Sequence, residues 1–172
     1  MSQIDFSHFN YDVDLMPAKS SEATHGALVS ESEPFRLKIR VYYEDTDFSG
    51  LVYHASYLRF LERGRTEFLR SLGIEHNVIF AGGGTGGFHF VVRAMTIDFL
   101  KPALMDDEIW VETITADVGG ASIEMAQKIR RGQDLLLTAK VRIAVVAGGR
   151  ARRIPSGILM KFKPTPIAVK PL

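Results

Sequence analysis

RVYYEDTDFSGLVYHASYLRFLERGRTEFL, residues 40–69, changes its hydrophobic period once, and that change sets the fold class. Its first residues finish an alternating stretch. Arg36, Lys38, Arg40 and Tyr42 fall on one side, and Leu37, Ile39, Val41 and Tyr43 on the other, the pattern of a half-buried strand. A turn-rich segment from Glu44 to Gly50 follows. Tyr57, Leu58, Leu61, Gly64, Phe68 and Leu72 then recur at steps of three and four, with Arg59, Glu62, Arg63, Glu67 and Arg70 between them. This is an amphipathic helix of four to five turns, ended by Gly73, with Arg63 and Glu67 spaced as an i,i+4 pair. Gly64 costs the helix ~1 kcal/mol relative to alanine, so its expected use is to let a strand pass close to the helix backbone.

Downstream of the glycine run 82–87, four strand-like stretches are expected at Phe88–Phe99, Glu108–Asp117, Ala121–Arg131 and Leu135–Val146. In the last, Leu135, Leu137, Ala139, Val141, Ile143 and Val145 share a face, with Lys140 and Arg142 opposite. The third sets Ile123, Met125 and Ile129 against Glu124, Lys128 and Arg130. The connections are too short for parallel crossovers, which makes the neighbours antiparallel. The dry face needs a cover, and the helix after Gly50 is the long one at hand. The expectation is an α+β fold: a five-stranded antiparallel sheet wrapped around one central helix. One helix rarely covers five strands, so oligomerisation is expected too.

The chain has 172 residues, 46% of them hydrophobic, and no cysteine. One domain with an ample core fits these figures, while disulfide scaffolds and cysteine nucleophiles are excluded. Residues 1–34 carry six acids against Lys19, a balance of −5; the remainder carries 20 bases and 14 acids, a balance of +6. The N-terminal stretch shows no period and reads as a flexible acidic extension, with Phe6, Phe9 and Tyr11 available to a partner. It has neither the basic and apolar regions of a secretory signal nor the arginines of a transit peptide, which points to the cytoplasm. No apolar run reaches the ~20 residues of a membrane span. A mildly basic body suits an anionic small molecule better than nucleic acid. Residues 35–172 are read as a single domain.

The densest reactive cluster is Tyr43-Glu-Asp-Thr-Asp47-Phe-Ser-Gly-Leu-Val-Tyr-His54, between the first strand and the helix start. A carboxylate near unpaired helix N–H groups suits acyl transfer: the donors polarise a carbonyl, and the carboxylate attacks it or activates water. A solvated acidic turn, with Asp47 capping the helix, is the plainer alternative. Asp45 and Asp47 echo the aspartate pair of haloacid-dehalogenase phosphatases, but those need parallel strands. Asp45, Asp47 and His54 are also weighed as metal ligands. The glycine run lacks the Gly-Lys-Ser/Thr of a phosphate loop and reads as a mobile connector. His89 reads as a core or interface residue. Arg150, Arg152 and Arg153 form a tight basic knot, either a solvated turn or a contact for the phosphates of a nucleotide-bearing thioester.

The same thirty-residue run closely resembles the YbgC-like, Tol-Pal-associated acyl-CoA thioesterases, of the 4-hydroxybenzoyl-CoA thioesterase branch of the hotdog superfamily. The spacing Tyr-x-x-x-Asp-x-x-Gly-x-Val-x-His is met at Tyr43, Asp47, Gly50, Val52 and His54. Likeness continues through Phe90–Ile97 and Lys101-Pro-Ala103, covering about residues 36–165. The resemblance implies a hotdog fold and hydrolysis of an acyl-CoA thioester without metal or other cofactor. It implies Asp47 as nucleophile or general base, His54 beside it, and Tyr43 orienting the site from the strand end. Gly50, Val52, Tyr53 and the three arginines are the corresponding candidates for substrate binding. It further implies protomers paired edge to edge, as homodimers or homotetramers, with sites near the interface. Two rival functions share the fold. One is a weakly catalytic or non-catalytic protein that binds an acyl-carrier protein or an envelope-associated partner. The other is a dehydratase, whose histidine and carboxylate usually come from facing protomers.

Overall fold

A computed structural model describes residues 33–74 and 87–162. The acidic extension and most of the glycine run lie outside the described residues. Strand β1 (Phe35–Arg40) leads through a single 3-10 turn (Tyr43–Asp45) to helix α1 (His54–Ser71). Strands β2 (His89–Phe99), β3 (Glu108–Val118), β4 (Ser122–Arg131) and β5 (Asp134–Ala147) follow, then a short β6 (Arg150–Ala151) and a single-turn helix α2 (Ser156–Leu159). The sheet runs β1-β3-β4-β5-β2, antiparallel throughout, with β6 paired to β5. This is the hotdog arrangement, with a sixth short strand added to the five expected. Gly148 and Gly149, at φ 57° and 72°, supply the left-handed turn that folds β6 back onto β5.

The four expected strands stand within a residue or two of their limits. The first does not. After Arg40 the chain leaves β3, because the Val41 N–H donates to Asp107 O and the Asp106 N–H to Val41 O. Tyr43 therefore sits in the 3-10 turn, mostly in solvent, rather than on the dry face of a strand.

Helix α1 starts three residues before Tyr57, and its buried stripe is rotated from the expected one. Tyr57, Phe60, Leu61, Gly64 and Leu69 face inward, whereas Leu58 is exposed. Its ion pairs are Glu62–Arg65 and Glu67–Arg70, three residues apart. Tyr57, Phe60 and Leu61 pack with Ile39, Val41, Ile109, Val111, Ile129 and Leu137 into one part of the core. Leu69 joins Ile123, Met125, Val141, Ile143 and Val145 in the other. At Gly64, strand β3 comes so close that an added Cβ would lie 2.6 Å from Val111 Cγ1. The expected use of that glycine holds.

A polar cluster lies in this otherwise apolar layer. Gln127 donates from Nε2 to Leu61 O and Thr113 Oγ1, both at 3.0 Å, and accepts from Arg65 Nη1 at 2.8 Å. Arg65 is 5% exposed, and its other guanidinium nitrogen meets Glu62. Every partner is needed, since a buried guanidinium without acceptors is costly.

Strand β5 carries the feature that sets up the site. Leu136 is an extra residue where the register passes from Ile129↔Leu137 to Arg130↔Leu135. Its carbonyl accepts the N–H groups of Leu100 and Lys101, which anchors the loop that follows β2.

Candidate active site

The loop from Asp45 to Tyr53 is fixed at three levels. Its stem is a narrow antiparallel ladder: Thr46 pairs with Val52, and the Asp47 N–H donates to Leu51 O at 2.9 Å. Its flank is bound to the loop after β2, where the Val52 N–H donates to Ala103 O and Leu51 pairs with Leu104. The Tyr57 hydroxyl accepts the Ala103 N–H at 2.8 Å, and so ties that second loop to α1. The loop base is held by Asp45, which is 2% exposed. Its Oδ2 accepts the Tyr42 N–H at 3.0 Å, and its Oδ1 lies 3.7 Å from Arg59 Nη2, which also donates to Ser56 Oγ.

Asp47 stands at the tip, exposed. Oδ1 accepts the Ser49 N–H at 2.8 Å and the Ser49 hydroxyl, and the Gly50 N–H closes the turn onto Asp47 O. Gly50 has φ 79°, a conformation that favours glycine. Asp47 thus closes its own turn and does not cap α1. The Ser49 hydroxyl, and then its amide, stabilise the carboxylate and hold its pKa below the ordinary 3.8. The group is ionised at neutral pH.

Around the tip, Tyr53 is the N-cap of α1 with no side-chain hydrogen bond at the cap, and His54 opens the helix. Their rings lie 4.3 Å apart, tilted by 56°. Both are exposed, as is Phe48. Val52 is different: its side chain is 6% exposed and belongs to the core, so only its backbone serves the loop. The sequence thus brings Asp47, Gly50, Tyr53 and His54 into one short segment, with Tyr43 in the preceding turn.

Arg150, Arg152 and Arg153 stand elsewhere. They follow the far end of β5, where the Arg152 N–H donates to Val145 O, while the Asp47 loop lies by Leu136 at its start. From Leu136 to Val145, strand β5 extends roughly 30 Å at ~3.3 Å per residue. Arg152 and Arg153 line an open cavity of about 610 Å³ with Phe88, Val145, Gly148 and Pro155. Within one chain, the basic knot and Asp47 do not share a site.

Three groups escaped the sequence reading. Asp45, in the sequence a companion of Asp47, is a buried anchor for the loop. Ser49 falls inside the turn-rich segment, and its place two residues after an aspartate is the signal of an Asx-turn. Gln127 sits between Met125 and Ile129 at strand spacing, a polar residue on a dry face.

The thioesterase superfamily model matches residues 49–138, just over half of the chain. The chain belongs to the thioesterase superfamily. The acyl-CoA thioesterase YbgC of Haemophilus influenzae is 40% identical over 120 residues, covering 70% of this chain and 86% of that protein. The acyl-CoA thioester hydrolase YbgC of Escherichia coli is 39% identical over 132 residues, covering 75% and 96%. Among solved structures, a probable thioesterase from Bartonella henselae is 45% identical with a TM-score of 0.68, covering 70% of this chain and 98% of its own. The thioesterase is a thioester hydrolase on a hotdog scaffold. The phosphatase alternative ends with the antiparallel sheet. Among the described residues, no group of three or more histidines and carboxylates is placed to hold a metal, and no helix is long and apolar enough to cross a membrane.

Proposed function

We propose that this thioesterase hydrolyses acyl-CoA thioesters and that Asp47 is its reacting carboxylate. The observation that carries the reading is an exposed carboxylate held by Ser49 at the tip of the loop that leads into α1. In one route, an Asp47 oxygen attacks the thioester carbonyl carbon, the C–S bond breaks, and the CoA thiolate leaves. Water then hydrolyses the resulting anhydride and regenerates the carboxylate. In the other, Asp47 takes a proton from a water as that water attacks the carbonyl carbon, the C–S bond breaks, and the departing CoA thiolate receives the proton. Amides of the first turn of α1 hold the oxyanion in either case. A thiolate leaves readily, so little acid assistance is needed. His54 and Tyr53 flank the reacting carbonyl, and Tyr43 orients the approach from the 3-10 turn. Gly50 gives backbone room beside the carboxylate.

The arginines enter through a second copy. Strand β2 is one edge of the sheet, and Val91, Val92 and Phe99 on it, with Leu100 just past its end, are more than 40% exposed. A twofold pairing of two β2 strands is antiparallel and sets the start of one against the end of the other. The start of β2 lies by β6 through Val146, which pairs with both His89 and Ala151; its end lies by α1, with Phe99 and Tyr57 rings 5.7 Å apart. Such a homodimer brings Arg152 and Arg153 of one copy toward Asp47 of the other, where they bind the phosphates of CoA.

Release of free thiol from short, long and aromatic acyl-CoAs tests the activity. Turnover of at least one class is expected, and binding without turnover throughout would favour the partner-binding alternative. Complementation tests the shared site. Asp47→Asn and the double variant Arg152→Ala, Arg153→Ala are each expected to be weak alone. Refolded together, they should regain about a quarter of wild-type activity, because a twofold heterodimer holds one intact site. A mixture no better than its parts would place the arginines outside the site.

A further inference from the structure

We infer that Ser49 is a positioning residue for Asp47: it holds one carboxylate oxygen and leaves the other as the reacting atom. The inference rests on the reading of Asp47 as the reacting carboxylate. The side chain is exposed, so no packing restrains its two torsions. An unrestrained carboxylate would reach the attack geometry only part of the time, and orientation is a large share of catalytic power. The restraint comes from Ser49, whose amide and hydroxyl both donate to Oδ1. Among the described residues, Oδ2 accepts no such bond.

The two bonds differ in what they require of the sequence. The amide bond is made by backbone that the ladder Thr46↔Val52 and the Gly50 turn already hold in place. Any residue but proline at position 49 would keep it. The hydroxyl bond needs serine or threonine, so Ser49→Ala removes one restraint and leaves the turn intact.

Charge around the loop is otherwise accounted for. Asp45 and Arg59 face each other at its base, Glu44 lies in the 3-10 turn, and His54 opens α1. Across the loop, Asp107 pairs with Arg131, and the Asp106 carbonyl accepts from Arg40. The depressed pKa of Asp47 accordingly follows from Ser49, by hydroxyl first and amide second. Because only the ionised form attacks or takes a proton, activity is lost as pH falls through that pKa. Loss of the hydroxyl raises the pKa and moves the acid limb of the rate profile to higher pH.

The test is Ser49→Ala beside Ser49→Thr, read by kcat, KM and the titration of the Asp47 carboxyl carbon in ¹³C-labelled protein. Expected in alanine are a kcat lower by about tenfold, an unchanged KM, and a carboxyl that titrates at higher pH. Threonine should restore both the kcat and the titration. An alanine variant with wild-type kcat, or one that loses kcat while the carboxyl titrates as in wild type, would overturn the inference. Full activity in Asp47→Asn would remove the underlying reading instead. The two failures are distinguishable, because the carboxyl titration does not depend on turnover.

Discussion

Replacing Asp47 by asparagine should reduce kcat by a hundredfold or more while leaving the fold and its unfolding midpoint unchanged. Asparagine keeps the shape and the Oδ1 acceptor for Ser49, and removes the charge. A reacting carboxylate is worth about 10²–10⁴ in rate as a general base, and comparable losses follow removal of a nucleophile. Because the residue is exposed and its bonds lie within its own turn, the core gains no cavity and loses no partner. Steady-state thiol release and circular dichroism on the same preparation check both halves. A variant of equal activity would make Asp47 a turn residue, and a variant that unfolds would make it a structural one.

A second large effect is expected at Gly64, and it acts on stability alone. Gly64→Leu should destabilise the fold by about 3 kcal/mol or more, at the upper end of overpacking costs. Its Cβ would lie 2.6 Å from Val111 Cγ1, 3.3 Å from Gln127 Nε2 and 3.4 Å from Thr113 Oγ1. Val111 is fully buried, and Gln127 is pinned by Leu61 O, Thr113 and Arg65, so neither can yield without loss. Better helix propensity returns only ~1 kcal/mol. For a chain of this size the loss corresponds to a fall in Tm of roughly 6–12 °C. Gly64→Ala should show a smaller loss, because it adds the clash without the branches. Calorimetry settles the point, and a leucine variant melting with the wild type would contradict the close approach of β3.

The architecture was legible because it rests on alternation and short connections, both of which are properties of the chain itself. Leu135–Val146 and Ala121–Arg131 declared themselves by period, and the links Gly119-Gly120 and Gly132-Gln133 are too short for anything but antiparallel neighbours. The helix stripe was harder. Leu58 and Phe60 are both apolar, and only the rotation set by Gly64 against Val111 decides that Phe60 is buried. Tyr43 alternated correctly with Val41, yet a strand needs a partner, and the hydrogen bonds of Val41 go to the loop at 106–107. The Gly148-Gly149 pair was a hairpin signal overshadowed by the charge of the arginines beside it.

At the site, the reacting segment could be read because its residues are contiguous. The support could not. Asp45 is buried by contact with Tyr42 and Arg59, and Ala103 is joined to the loop by Val52 and Tyr57; those contacts cross tens of residues or depend on which face a side chain takes. Separation of the arginines from Asp47 was equally invisible, since it depends on where β5 begins and ends in space.

The most direct measurement is to mix the thioesterase with an acyl-CoA in heavy-oxygen water and weigh the products by mass spectrometry over many turnovers. The expected result is free CoA and free acid in equal amounts, with one heavy oxygen in each acid, and release at least about a hundredfold slower from Asp47→Asn. Acyl-CoA recovered intact from the wild-type protein, or equal release from both proteins, would contradict hydrolysis by this carboxylate.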